Sequence, residues 1–141
     1  SAPSDTTVGL HMCRGNLKGT WLSEGSYQAI SEKLFNKLNV DVFFLEYDTE
    51  RAGGFEPLAA MPDDKRVVLG LVSSKMPELE AKDALKARIE EAAKYVDIDR
   101  LAISPQCGFS SAIVGNPVTV DDEIAKLKLV VEVAEEVWGS A

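Results

Sequence analysis

The stretch Val40-Asp41-Val42-Phe43-Phe44-Leu45-Glu46-Tyr47-Asp48 decides the fold of this chain. It is nearly continuous in apolar residues, which is typical of a strand that is buried on both faces. A second run of this kind follows at residues 66–72, with the sequence RVVLGLV. Strands that are apolar throughout indicate a parallel sheet, and parallel strands need helices to connect them.

Strands and helices alternate along the rest of the chain, and no hairpin signal interrupts them. This order is typical of a parallel α/β fold. Strands are expected at residues 6–13, 40–48, 66–72 and 100–104. Helical spacing of apolar residues predicts helices at about residues 26–38, 58–61, 77–96 and 119–138.

The last helix has the clearest limits. Residues 119–122 (TVDD) have the capping-box form, and Gly139 follows the last apolar position. Its apolar side chains are expected to face the sheet. They are Ile124, Leu127, Val130, Val131, Ala134 and Val137.

The composition describes one soluble domain. The chain has 141 residues, of which 45% are hydrophobic and 27% are charged, which is sufficient for a single core. The formal net charge of −8 argues against a nucleic-acid partner, because a phosphate backbone attracts a basic surface. No apolar run approaches the length of a membrane span, and no signal peptide opens the sequence. We therefore expect a cytoplasmic protein without nucleic-acid or membrane partners.

His11 and Cys13 end the first predicted strand. Side chains two positions apart in a strand point to the same face, and an imidazole beside a thiol is half of a typical zinc site. His11 is the only histidine, and Cys13 and Cys107 are the only cysteines. The cysteine count allows a disulfide, but nothing indicates secretion, and a reducing compartment favours metal binding or catalysis.

Other polar residues follow the remaining predicted strands: Glu46 and Asp48, then Lys75, then Cys107. In parallel α/β folds the loops after the strands lie at one edge of the sheet, where the chemistry collects. Sulfur, nitrogen and oxygen donors together favour zinc. We therefore predict a zinc site at this edge. Its expected ligands are His11, Cys13, Glu46 and Cys107.

The residues themselves leave other interpretations open. Glu46 could instead pair with Arg14 or Arg51. Asp48 could orient the metal-bound histidine or face solvent. Lys75 could pair with an anionic substrate, although an exposed loop lysine is the more common case.

Three separated motifs resemble the cobalamin-independent methionine synthase family. They are His11-Met12-Cys13-Arg14-Gly15-Asn16, Phe44-Leu45-Glu46-Tyr47-Asp48 and Ser104-Pro105-Gln106-Cys107-Gly108-Phe109. They occur in the family's order, and the resemblance covers nearly the whole chain, with the greatest similarity to the shorter, single-barrel bacterial members. It implies a (β/α)8 TIM barrel that carries zinc at its carboxyl-terminal face.

The resemblance also implies an activity and a ligand set. The family's His-x-Cys pair falls on His11 and Cys13, its ligating glutamate on Glu46, and its last cysteine on Cys107. The implied reaction is methyl transfer to the thiol of homocysteine, which forms methionine. Zinc depresses the pKa of the acceptor thiol, and Glu46 is then the ligand that the substrate sulfur displaces.

One departure from the family concerns the methyl donor. A family histidine, which helps to protonate the departing folate nitrogen, is matched here by Lys75. Lys75 and Asp48 are the candidates for catalytic residues. The implied donor is methyl-tetrahydrofolate or a methyl-corrinoid, and a related branch with similar motifs transfers an alkyl group to coenzyme M.

A second departure is length, because four βα units are half of an eight-stranded barrel. By the family's order they are the last four, so residues 1–141 are expected to be the C-terminal half of a TIM-barrel methyltransferase domain. Such a sheet leaves two bare edges and an apolar inner face. We therefore expect association with the missing half-barrel, or an oligomer. The alternative is a zinc-stabilised fragment without catalysis.

Overall fold

The computed structural model describes residues 3–13, 20, 26–49, 52–110 and 113–141. Its strands are β1 (Gly9–Met12), β2 (Val42–Glu46), β3 (Arg66–Val72) and β4 (Leu101–Pro105). Its α-helices are α1 (Ser31–Lys37), α2 (Lys82–Ala92) and α3 (Val120–Trp138). Short 3₁₀ helices lie at Tyr27–Ala29, Glu56–Ala60 and Ile98–Arg100. Helical structure follows every strand, so the four predicted βα units are present.

The four strands form one parallel sheet in the order β1-β2-β3-β4. The register aligns His11 with Phe44, Phe44 with Val68, and Val68 with Ala102. Because all strands run the same way, their carboxyl ends meet at one edge of the sheet. The residues that follow the strands therefore lie close together.

The two faces of the sheet differ in their cover. On the helix-covered face, Phe43, Leu45 and Val67 are at most 1% exposed and belong to the core. On the opposite face, Phe44 is 37% exposed, and no second layer lies over this face in the described part of the chain. We call this opposite side, which carries Phe44 and Val68, the inner face. The prediction of strands buried on both sides is confirmed at the carboxyl ends of β2 and β3, where Glu46 and Gly70 are buried on the inner face, but not at Phe44.

The beginning of α2 differs from the sequence prediction. The apolar spacing predicts a helix from Pro77 or Glu78 to Val96, whereas α2 spans Lys82–Ala92. The buried Lys126 ammonium donates to the Glu78 carbonyl at 2.5 Å and to the Glu80 carboxylate at 2.9 Å. These contacts hold the segment before α2 outside the helix.

The limits of α3 agree with the prediction. The Thr119 hydroxyl accepts from the Asp122 amide at 3.2 Å, the Asp122 carboxylate accepts from the Thr119 amide at 2.9 Å, and Gly139 ends the helix with φ of 77°. This reciprocal pair satisfies amide groups that the first turn leaves unpaired. Neither α3 nor any other helix of the described residues is long and apolar enough to cross a membrane.

The predicted inward face of α3 is wrong in part. Ile124, Leu127 and Val131 are 43–45% exposed, whereas Lys126 is fully buried. The prediction is confirmed for Val130, Ala134 and Val137, which pack against the core. The buried stripe of the helix runs through Leu129 and Val133. Hydrophobicity alone does not say which of two apolar stripes meets the sheet.

Candidate metal centre

The strand pleat carries three site residues toward one edge of the inner face. His11 shares a row with Phe44 and Val68, and the next row along the strands contains Glu46 and Gly70. Side chains two positions apart share a face, so Glu46 follows Phe44 on the inner face at the end of β2. Cys13 directly follows β1, and Cys107 lies in the loop after β4.

The four predicted ligands lie together at this edge. The donor atoms of His11, Cys13, Glu46 and Cys107 all lie within 4.8 Å of one another. The two Sγ atoms are 3.1 Å apart, and the Cys107 thiol donates to Glu46 Oε1 at 2.6 Å. His11 Nε2 is 3.8 Å from the same carboxylate oxygen. Residues that are as much as 94 positions apart in sequence thus contact one another.

Both cysteines are free thiols rather than a disulfide. Burial raises the pKa of the Cys107 thiol, and its hydrogen bonds with Glu46 and Cys13 raise that pKa further. The thiol is therefore protonated at neutral pH in the metal-free protein. A metal ion that binds here must displace this proton, because thiolate is the form of cysteine that binds metals.

Tyr27 joins the two strand ends that carry three of the four donors. Its hydroxyl donates to the Met12 carbonyl at 3.2 Å and accepts from the Glu46 amide at 3.0 Å. Tyr27 lies in the predicted helix over residues 26–38, where its spacing marks it only as an apolar position. The one signal in the sequence for this bridging role is a tyrosine in an apolar stripe, because a buried hydroxyl needs a hydrogen-bond partner.

Gly70 allows the strands beside Glu46 to approach closely. A Cβ atom at this position would lie 3.1 Å from the Leu45 carbonyl oxygen and 3.4 Å from the Cα atoms of Glu46 and Gln106. All three of these atoms belong to the backbone, which yields less easily than a flexible side chain. The glycine therefore contributes to the spacing between the Glu46 strand and the Cys107 loop.

Lys75 is buried, so the interpretation as an exposed loop lysine is wrong. Its side chain is 3% exposed, and its ammonium donates to Gln106 Oε1 at 2.7 Å. The ammonium also lies 4.0 Å from Glu46 Oε2. The loop after β3 turns this lysine toward the cluster of four donors rather than toward solvent. Gln106, its partner, was not singled out from the sequence, although it precedes Cys107 directly.

Asp48 does not join the four donors. It lines a cavity beside α2, together with Glu80 and Arg88. Arg14 and Arg51, the alternative partners considered for Glu46, lie outside the described residues.

The donor set fits a zinc ion. Two thiols, one imidazole and one carboxylate are all groups that zinc accepts as ligands. Donors around a tetrahedral zinc lie roughly 3–4 Å apart. The separations of 3.1 Å and 3.8 Å fall in that range, whereas Cys107 Sγ and Glu46 Oε1, which share a hydrogen bond, are closer at 2.6 Å. The His11 side chain is 44% exposed, so the cluster is open to solvent on one side. A cluster of this kind can hold a metal and still admit a further ligand.

Comparison with known proteins identifies the family. The family model described as the cobalamin-independent synthase catalytic domain matches residues 1–136. YxjG, an uncharacterized protein of Bacillus subtilis, is 53% identical over 137 residues, which make up 96% of this chain and 36% of YxjG. The 5-methyltetrahydropteroyltriglutamate–homocysteine methyltransferase of Bacillus licheniformis is 29% identical over 140 residues, or 99% of this chain and 16% of that enzyme.

A solved structure confirms the fold. The crystal structure of a Listeria monocytogenes protein, provisionally named a vitamin-B12 independent methionine synthase, matches with a TM-score of 0.74 and 40% identity over 98% of this chain. The match covers 37% of the Listeria protein, so this chain spans little more than a third of the length of such relatives. Its four βα units match a part of a methionine synthase barrel. The chain therefore belongs to the cobalamin-independent synthase family, whose catalytic domain it matches along almost its whole length.

Proposed function

We propose that this chain carries the zinc site of a methyltransferase that methylates the thiol of homocysteine and forms methionine. The observation that supports the proposal is the convergence of two thiols, an imidazole and a carboxylate within 4.8 Å. The names of the Bacillus licheniformis and Listeria relatives agree with this chemistry. His11, Cys13, Glu46 and Cys107 would hold the metal.

Zinc held by these residues would lower the pKa of a substrate thiol, which as a free thiol of pKa about 8.5 is mostly protonated at neutral pH. The chain's own residues prepare the site for it. Tyr27 ties the end of β1 to the end of β2, which fixes the positions of His11 and Glu46 relative to each other. Glu46 offers the Oε1 atom to the cluster, and its oxygen is the hardest donor of the set. Soft thiolates suit zinc better, so Glu46 would be the ligand most readily replaced by a substrate thiol.

We further propose that residues 1–141 form the C-terminal half of the barrel domain. The inner face exposes Phe44, and α3 exposes a stripe of Ile124, Leu127 and Val131. Apolar surface of this extent favours association, and the missing half-barrel would cover both regions. Size-exclusion chromatography with light scattering tests this proposal. A stable monomer of this chain contradicts it, whereas an oligomer or a complex with a complementary half-barrel supports it.

The methyl donor is tested separately from the metal. Because Lys75 stands where the family has a histidine, methyl-tetrahydrofolate and a methyl-corrinoid are both assayed, with homocysteine as acceptor. Coenzyme M is assayed as the alternative acceptor. Methionine formed from either donor supports the proposed activity. If the methyl group is transferred to coenzyme M and not to homocysteine, coenzyme M is the acceptor and the proposed substrate is wrong.

The decisive experiment is X-ray absorption at the zinc edge, with and without homocysteine. We expect about one zinc per chain and one additional sulfur neighbour at about 2.3 Å when homocysteine is present. Cys107→Ser and His11→Ala should lose zinc, whereas Ser104→Ala, a change next to the site at a non-ligand, should retain it. A protein that binds no zinc contradicts the proposal. Bound zinc with an unchanged spectrum indicates a closed structural site instead.

A further inference from the structure

We propose that Lys75 is a positioning residue that acts through Glu46. Its ammonium lies beside the second carboxylate oxygen of Glu46, where it would weaken the hold of Glu46 on a bound metal and would stabilise the carboxylate when a substrate thiol takes its place. The inference rests on the proposed function, because it concerns the same metal site.

The two oxygens of Glu46 face different groups. Oε1 lies 2.6 Å from Cys107 Sγ and 3.8 Å from His11 Nε2, which places it in the cluster of donors. Oε2 lies 4.0 Å from Lys75 Nζ. A carboxylate divided in this way has one oxygen for a metal and the other for an ammonium group. Lys75 therefore competes with a metal for the charge of Glu46.

Burial makes this competition strong. The Glu46 side chain is 1% exposed and that of Lys75 is 3% exposed, so water screens their attraction only weakly. A buried carboxylate without a cation is costly. Lys75 remains beside Glu46 whether or not the carboxylate is bound to a metal. It thus lowers the cost of releasing Glu46 from the cluster.

Lys75 is held from two directions, so that it cannot easily turn away. Its ammonium donates to Gln106 Oε1 at 2.7 Å, and its backbone amide donates to the Ser73 hydroxyl at 3.2 Å. The backbone amide of Gln106 in turn donates to the Val72 carbonyl at 3.0 Å. The same short loop therefore carries both Cys107 and the group that fixes Lys75.

The test uses Co²⁺ in place of zinc, because its visible absorption reports the ligands around it. Lys75→Met removes the charge with little change in side-chain length. Lys65→Met is the matched control. Lys65 lies directly before the first residue of β3, at the other end of the strand from Lys75, and pairs with Asp64 at 3.1 Å. Circular dichroism establishes that each variant is folded. Co²⁺ affinity and the response to homocysteine are then measured by titration.

We expect Lys75→Met to bind Co²⁺ about tenfold more tightly than the wild type, because the variant lacks a positive charge beside the metal site, and to need about tenfold more homocysteine for the same spectral change. Lys65→Met should match the wild type in both titrations. Weaker or unchanged Co²⁺ binding by Lys75→Met overturns the proposal, because loss of a purely structural residue would loosen the site.

Two further outcomes remain informative. If wild-type protein binds Co²⁺ but its spectrum does not respond to homocysteine, the proposed function fails, and the Co²⁺ affinity of Lys75→Met still decides the role of Lys75. If Lys75→Met does not fold, Gln106→Leu replaces it as the test, because it keeps the charge but removes the 2.7 Å contact that fixes it. Gln106→Leu should shift both affinities in the same directions by a smaller factor, and wild-type behaviour of this variant overturns the inference.

Discussion

Replacing Tyr27 by phenylalanine tests whether a single hydroxyl holds the metal-ligand edge together. This hydroxyl joins the Met12 carbonyl, at 3.2 Å, to the Glu46 amide, at 3.0 Å. The substitution removes one oxygen and keeps the ring, whose centroid lies 5.4 Å from that of Tyr47 in an edge-on contact. The packing is therefore retained, and only the bridge between β1 and β2 is lost.

The expected magnitude follows from the groups that lose their partner. Glu46 is 1% exposed, and a buried amide that loses its acceptor costs about 1–3 kcal/mol. We therefore expect the free energy of unfolding of Tyr27→Phe to fall by about 2 kcal/mol. Because β1 carries His11 and β2 carries Glu46, the looser edge should also weaken zinc binding by about tenfold.

The assay is urea unfolding followed by circular dichroism, combined with a chelator competition for zinc. Tyr95→Phe is the matched control, since the Tyr95 ring is 38% exposed and its loss of a hydroxyl should change stability by less than about 0.5 kcal/mol. Wild-type stability and zinc affinity in Tyr27→Phe would refute the reasoning, because the hydroxyl would then be replaceable by solvent.

Three more predictions concern pH, the cap of α3 and its buried lysine. Zinc affinity should rise by up to about tenfold per pH unit for each proton that zinc displaces, because the raised pKa of Cys107 keeps its thiol protonated until zinc binds. A chelator competition that gives the same zinc affinity across the neutral pH range contradicts this prediction. Thr119→Ala should lower the free energy of unfolding by about 1 kcal/mol. Hydrogen bonds from Thr119 lower the pKa of Asp122 below its ordinary 3.8, so the stabilisation by this carboxylate is present above that pH and is lost as the pH falls through the lowered pKa. The loss of stability in Thr119→Ala, measured by thermal unfolding, should therefore become smaller in acid. A loss that does not depend on pH would argue against the capping role of Asp122. Lys126→Met should lower the free energy of unfolding in urea by about 3 kcal/mol, because it leaves the Glu80 carboxylate without its cation. Lys128→Met, at an exposed lysine of the same helix, should change it little. Equal losses in the two variants would exclude the buried ion pair as the cause.

Local patterns were sufficient for the strands but not for the helices that cover them. The apolar run Arg66–Val72 coincides with β3 residue for residue, because a strand in the middle of a parallel sheet is apolar on both faces and needs no further information. The start of α2 and the orientation of α3 depend on Lys126, which contacts partners 46 and 48 positions away. The apolar periodicity of a single helix gives no information about these contacts.

The location of the donor cluster was determined by the sequence alone. Alternation along a strand puts His11 and Cys13 near each other, and parallel strands bring Glu46 and Cys107 to the same edge. Both rules depend only on backbone geometry and chain order.

The arrangement around the donors was decided by the tertiary structure. The contact of Lys75 with Gln106 joins two loops that are 31 positions apart, and Tyr27 reaches the strand ends from a neighbouring helical turn 15 and 19 positions away. These contacts depend on how loops and helices pack against the sheet. A hydroxyl or an ammonium acquires its role from the partner that packing brings within about 3 Å, and sequence patterns do not contain that distance.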